Sequence, residues 1–348
     1  MPSSSILRYA GYALLIPSLL VASHALASCP LTPKHIPTPT DPGMSSLPLN
    51  SRSRIVYPED FLEGGEYVQL PLGKVRYWLL GPPTGKKIVF IHGITIPSIA
   101  FAKIAPVLAD AGFRVLLYDL YGRGYSDAPK GMSYDPQLYA TQLALLLQHL
   151  NWRCTCVLGF SMGGAIAGAK FVAAFPALVE GDVILVASAG AGGPPPTALS
   201  KFPHWLFAED RVKRRFAARV VASDAIETPM QEIVRLQAEE LPGYPRAILS
   251  SFHDGIIGKL EWAFSSPSWR EKRVLLINGD EDKIIPPAAA HILQEMLISV
   301  GAAHINKDIS PGPDVTLVSI AGSGHDLTWT HSDEVCDSIL GFFEGNRK

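Results

Sequence analysis

Residues 159–164 read Gly-Phe-Ser-Met-Gly-Gly, and no other stretch constrains the chain as much. An apolar run at 154–158 leads into it, and small and apolar residues at 165–175 lead out. That is the pattern of a strand, a sharp turn and a helix. Glycines flank the serine because its backbone is strained in such a turn, and a Cβ nearby would clash with the strand or helix. The geometry lifts the Ser161 hydroxyl off the top of a sheet. It also sets the Met162 N–H at a helix N-terminus, where it can bind a developing oxyanion. G-x-S-x-G alone is weak, since Gly and Ser are common in plain turns. The strand–helix context gives it weight.

The remaining pattern supplies a sheet for that turn. Alternating runs at 66–70 and 74–80, separated by Leu72-Gly73, predict a hairpin. Short apolar strands are predicted at 87–91, 113–118, 154–160, 182–187, 273–278 and 315–320. Helices are predicted between them at 97–111, 136–150, 162–175 and 287–300, and a last helix at 333–344. Strands rich in β-branched residues that alternate with helices imply an α/β fold: a mostly parallel twisted sheet with helices on both faces. Reactive residues then belong in loops at the carboxyl ends of the strands. One region breaks the alternation. After a Gly/Pro hinge at 190–196, only helical patterns appear, at 209–222, 229–241 and 245–264, which predicts an inserted helical cap.

Three further elements carry candidate chemistry. The strand at 87–91 ends in His92-Gly93-Ile94, a flexible turn in which the Ile94 N–H can be a second oxyanion donor and His92 is structural. Residues 278–286, Asn-Gly-Asp-Glu-Asp-Lys-Ile-Ile-Pro, follow a strand and offer two acids, Asp280 and Asp282. One of them should orient a catalytic imidazole. Residues 321–325, Ala-Gly-Ser-Gly-His, follow the last strand, and the glycines free a loop that can carry His325 to Ser161. The order Ser, Asp, His suits a triad of this kind. Asp119, which opens Asp-Leu-Tyr-Gly-Arg-Gly-Tyr-Ser-Asp, reads as structural, ordering the floor of the site through turn hydrogen bonds.

Taken together, His92-Gly93, Asp119 with Gly122 to Asp127, Gly159 to Gly163, Gly279 to Asp282 and Gly324-His325 resemble the α/β-hydrolase superfamily over roughly 67–343. In that superfamily's Gly-x-x-Asp-x-x-x-Pro element the Asp is usually the triad acid. Gly279, Asp282 and Pro286 match it, so the resemblance selects Asp282 over Asp280. It also implies a cap over the site. The expected chemistry is a serine esterase or lipase-like activity on a small-molecule ester or lipid. Ser161 attacks the carbonyl, His325 is the base, and Ile94 and Met162 hold the oxyanion, with no metal or organic cofactor. Acyl transfer, amide or C–C hydrolysis, and a non-catalytic binding protein are the alternatives. The serine at 161 argues against epoxide or haloalkane chemistry through a nucleophilic Asp.

The expected domains are a catalytic domain at 61–192 and 271–348 and a cap at 193–270. Cap aromatics Phe202, Trp205, Phe207, Trp262 and Phe264, with Leu206, would line an acyl channel or pack on the sheet. The 348 residues carry a net charge of -2, which argues against a nucleic-acid partner. Arg8, the apolar run at 9–27 and the small residues Ala25 and Ala27 predict a signal peptide or signal anchor, hence secretion or membrane association. Leu26-Ala27-Ser28-Cys29 also resembles a lipobox. Residues 28–60, rich in Pro, Ser and Thr, predict an extended linker or a surface wrap rather than a packed unit of their own. Cys154 and Cys156 have poor bridging geometry and read as apolar fillers.

Overall fold

The computed structural model describes residues 38–191, 228–254, 260–302 and 312–345. The expected signal segment 1–27, the predicted helix 209–222 and the cap residues Phe202, Trp205, Leu206 and Phe207 lie outside them. In chain order the strands are β1 (Thr40–Asp41), β2 (Gly65–Leu70), β3 (Gly73–Leu80), β4 (Lys86–Ile91), β5 (Phe113–Tyr118), β6 (Ala128–Pro129), β7 (Thr155–Phe160), β8 (Val179–Val186), β9 (Arg273–Gly279) and β10 (Asp314–Ile320). The helices are α1 (Arg52–Val56), α2 (Ile104–Asp110), α3 (Pro136–His149), α4 (Met162–Gly164), α5 (Pro229–Glu240), α6 (Tyr244–His253), α7 (Glu261–Phe264), α8 (Pro287–Ala302), α9 (Leu327–Thr330) and α10 (Ser332–Glu344).

Among the described residues, one sheet of eight strands runs in the order β10-β9-β8-β7-β4-β5-β3-β2. It is parallel from β10 through β5; β3 alone runs the other way, pairing antiparallel with β5 on one side and with β2 on the other. The alternation of side chains along each strand explains why both faces need helices. Val89 and Ile91 of β4 join the core beneath α3 and α8, whereas Ile88 and Phe90 join the opposite core beneath α2 and α10. Every residue of β7 is buried, as a central strand requires. Cys156 is one of these apolar fillers, and Cys154, Cys156 and Cys336 are free thiols.

Several expected elements are subdivided. The helix read at 97–111 is a 3₁₀ turn, Ser98–Phe101, followed by α2. Pro97 opens the turn and Pro106, inside the first turn of α2, lacks an N–H to donate back into it. The helix after Ser161 begins as α4 and continues as a π-helix, Ala165–Val172. The pattern at 245–264 divides into α6 and α7. The inserted region between β8 and β9 fits a cap. Phe264 packs rather than lining a channel: it is fully buried, stacks on Trp269, and lies where a Cβ on Gly168 would meet its ring at 2.7 Å. Trp262 is exposed, with Lys170 Nζ 5.4 Å from its ring centre.

The Pro-rich stretch takes the second of its two expected forms, a surface wrap. From Thr38 on it is packed. Thr40 and Asp41 pair with Pro129 and Ala128. Met44 and Tyr57 are fully buried, and the Tyr57 hydroxyl donates to Asp119 at 3.0 Å. The same segment straps the cap. Asp41 binds Lys130 and, on α6, Arg246, at 2.6 and 2.9 Å. On α5, Arg52 binds Glu232 and Ser53 Oγ donates to Glu240 at 2.7 Å. Single anchoring residues spaced between prolines fix this segment, and a composition reading averages them away. Two shortened chains test this, one beginning at Thr38 and one at Arg52. A chain that begins at Arg52 should lose at least the roughly 2–5 kcal/mol expected for one emptied methionine site. Urea unfolding of the two would measure the difference, and equal midpoints would show the strap to be dispensable.

Candidate active site

Ser161 sits between β7 and α4 with φ 55° and ψ -120°. This is a strained backbone for a residue with a Cβ. Its surroundings hold it there. Ser161 N–H donates to Val186 O at 2.9 Å, and Ser161 O accepts from Ala189 and Gly164, both at 3.0 Å. Close approach explains two flanking glycines. A Cβ on Gly159 would lie 2.3 Å from Gly163 O, and one on Gly163 would lie 1.9 Å from Ile91 O.

The loops after β9 and β10 meet above the serine. Ser161 Oγ lies 3.0 Å from His325 Nε2, and His325 Nδ1 lies 2.7 Å from Asp282 Oδ2. The Asp282 side chain has no exposure. Its other oxygen, Oδ1, accepts from the N–H groups of Ile284 and Ile285 at 2.8 and 2.9 Å. The imidazole packs over Phe160, ring centres 5.2 Å apart. Asp280 is exposed and does something different: its Oδ1 accepts the Gly322 N–H at 2.7 Å, tying the acid loop to the histidine loop. Glu281 N–H to Ser323 O at 3.0 Å adds a second tie. Sequence spacing alone left the two acids equivalent, and their geometry is not.

Of the two expected oxyanion donors, Met162 follows Ser161 at the start of α4, and Ile94 follows Gly93, where an added Cβ would lie 3.4 Å from Ser161 Cβ. Among the described residues, neither N–H has a backbone hydrogen-bond acceptor outside regular secondary structure. The arrangement provides a hydroxyl, a base within hydrogen-bond reach and a buried acid behind the base. That is the equipment for nucleophilic acyl chemistry. Among the described residues, no cluster of three His, Cys, Asp or Glu could hold a metal.

The floor is built as expected, and more extensively. Asp119 is fully buried and accepts from Tyr57 Oη, Ser98 N and Tyr125 N at 3.0, 2.9 and 2.9 Å. Burial pushes its carboxyl up to about 6 despite these donors. His92 is also fully buried, and burial first, with the nearby Arg123 charge, lowers its pKa to about 3. Sequence reasoning missed Gln237, Tyr244 and Ser251 of the cap helices, which bond to this floor. No local pattern marks them, because their partners lie more than 100 residues away.

The neutral His92 has a consequence for acid stability. Between its ordinary 6.5 and about 3, the unfolded chain holds the proton and the folded chain does not. Stability therefore rises with pH over that window and falls as pH drops through it. From pH 7 to 5 this contributes a loss of about 2 kcal/mol. His92→Gln should remove that part of the slope. Asp119, with its raised pKa, acts in the opposite direction between about 4 and 6, so the difference between variant and wild type in urea unfolding is the measurement. Parallel slopes would show that His92 is not held neutral.

Residues 88–338 match the model of the Alpha/beta hydrolase family. A putative non-heme chloroperoxidase from Synechocystis is 26% identical over 292 residues, covering 75% of this chain and 92% of the relative. Among solved structures, a hydrolase from Pseudomonas aeruginosa superposes with a TM-score of 0.63 at 19% identity, covering 81% of this chain and 98% of that one. A membrane phospholipase A superposes with a TM-score of 0.58 at 20% identity, covering 99% and 96%. The two structures share the fold. With a family match over more than two thirds of its length, and with the sheet order and turn geometry described above, the chain belongs to the Alpha/beta hydrolase family.

Proposed function

We propose that this protein is a serine hydrolase that cleaves a carboxylic ester through an acyl-enzyme on Ser161. The observation that supports this reading is the continuous hydrogen-bond chain from Ser161 Oγ through His325 to Asp282. His325 Nε2 takes the Ser161 proton as Oγ attacks the carbonyl carbon. The carbonyl oxygen becomes an oxyanion held by the N–H groups of Ile94 and Met162. His325 then protonates the leaving alcohol, and Asp282 stabilises the charged imidazole meanwhile. Water, deprotonated by His325, adds to the acyl-enzyme and releases the acid. The test is labelling by a fluorophosphonate probe together with a panel of esters of graded acyl length. A folded protein that neither labels nor releases acid from any ester would end the proposal. The relative named a putative chloroperoxidase supports a second reading, peroxide-dependent halogenation. Halogenated product without ester turnover would put it first.

Entry into the secretory route through Arg8 and residues 9–27 belongs to the same proposal. Intact-mass analysis distinguishes a cleaved form starting at Ser28, a lipid on Cys29 and a retained anchor. A full-length chain soluble in the cytosol would refute all three.

A further inference from the structure

Two side chains that bond to the loop after β4 take no part in the proton transfers, yet both are fully buried: His92 and Arg123. His92 Nε2 lies 2.9 Å from Leu120 N, and its Nδ1 lies 2.8 Å from Gly93 O. A backbone N–H only donates and a carbonyl only accepts. The ring is therefore neutral with its proton on Nδ1, in agreement with its depressed pKa. Gly93 C=O and Ile94 N–H are the two ends of one planar peptide unit. A directed chain results: Leu120 N–H into Nε2, Nδ1–H into Gly93 O, and the Ile94 N–H at the far end.

The two carbonyls that follow are held as well. Arg123 Nε donates to Ile94 O at 2.9 Å. Tyr244 Oη and Gln237 Nε2 donate to Thr95 O at 2.9 and 3.3 Å. Arg123 is itself fixed by Tyr121 O at 3.1 Å, Ser251 Oγ at 2.9 Å and the Tyr139 hydroxyl. Among the described residues no carboxylate forms an ion pair with it. Burying an imidazole and an unpaired guanidinium is costly, and an apolar filler would be cheaper. What the polar groups supply is orientation of three successive peptides in a loop that has no strand or helix ladder of its own. Hydrogen bonds in series also polarise one another, so a donor at Gly93 O makes the Ile94 N–H a better donor.

We propose that His92 is a positioning residue that orients and polarises the Gly93–Ile94 peptide toward the oxyanion, with Arg123 clamping the next carbonyl. The inference rests on the ester-hydrolase reading of Ser161. The test compares His92→Leu and His92→Gln in the whole protein, using a short activated ester and a trifluoromethyl ketone. Ser161 Oγ adds to the ketone carbon, its proton passes to His325, and the ketone oxygen becomes a stable oxyanion. In His92→Leu, kcat should fall on the order of 10²-fold with KM within about twofold, because misplacing a group by about 1 Å costs that much. Affinity for the ketone should fall by a similar factor. His92→Gln keeps one donor and one acceptor and should recover part of both. Unchanged kcat in a folded His92→Leu protein, or a loss confined to KM, would overturn the proposal.

Should His92→Leu fail to fold, the unmutated protein still decides the question. With nitrogen-15-labelled histidine, the His92 proton should sit on Nδ1 and its resonance should move downfield when the ketone adduct forms. A proton on Nε2, or no movement, would overturn the proposal. Ester turnover that disappears in Ser161→Ala establishes the underlying reading separately, so a negative result at His92 then counts against His92 alone.

Discussion

Ser161→Ala should lower kcat on any ester the protein cleaves by on the order of 10⁶-fold, with no loss of folding stability. The reason for the first half is that no other described nucleophile faces His325 Nε2, which lies 3.0 Å from the serine hydroxyl. The reason for the second half is that the hydroxyl bonds to that imidazole, while the turn is held by the backbone of Ser161, through Val186 O, Ala189 N and Gly164 N. Alanine keeps those bonds and the same Cβ. It also keeps the strain of φ 55°, so Ser161→Gly, equally inactive, should be more stable than either by roughly 1–2 kcal/mol. Initial rates, fluorophosphonate labelling and urea midpoints of the three proteins check this. Full turnover by a folded Ser161→Ala protein, free of wild type, would sink the assignment of the nucleophile.

The sheet was legible because its strands are short apolar runs with helices between, and burial on both faces leaves no other use for runs such as 88–91 and 274–277. The turn at Ser161 was legible because its glycines are sterically demanded. Both readings rest on local chemistry. What escaped was set by distant chain. Met44 sits among proline, glycine and serine, and Tyr57 in a short stretch with no regular period, so their burial depends on where Gly124 O and Asp119 happen to lie. Gln237 and Tyr244 sit on helices whose periodicity predicts only a buried face, and that face turns out to meet Thr95 O. Arg123 was visible only as the middle of a Gly-Arg-Gly bend, which says nothing of its four partners. The π-helical path of Ala165–Val172 has no sequence signal among its small and apolar residues.

Asp282→Asn should cost about 10⁴-fold in kcat, and Asp280→Asn only a few-fold. The argument is one of donor and acceptor matching. Asp282 Oδ1 already accepts two N–H groups, from Ile284 and Ile285, at 2.8 and 2.9 Å. An amide NH₂ cannot replace an acceptor facing two donors, so in the variant the carbonyl oxygen stays there and the NH₂ turns to His325 Nδ1. A donor at Nδ1 forces the imidazole proton onto Nε2, 3.0 Å from Ser161 Oγ, where a base is needed. The variant is thus locked in the wrong tautomer as well as deprived of a charge. Asp282→Ala loses the charge without that lock and should be no slower than Asp282→Asn. The Asp280 side chain accepts from the Gly322 N–H at 2.7 Å, and an Asn oxygen can accept it equally. Single-turnover acylation rates on one activated ester separate the three variants. If Asp280→Asn were the slower protein, the acid behind His325 would be Asp280, and the loops after β9 and β10 would have to rearrange in solution to bring it there.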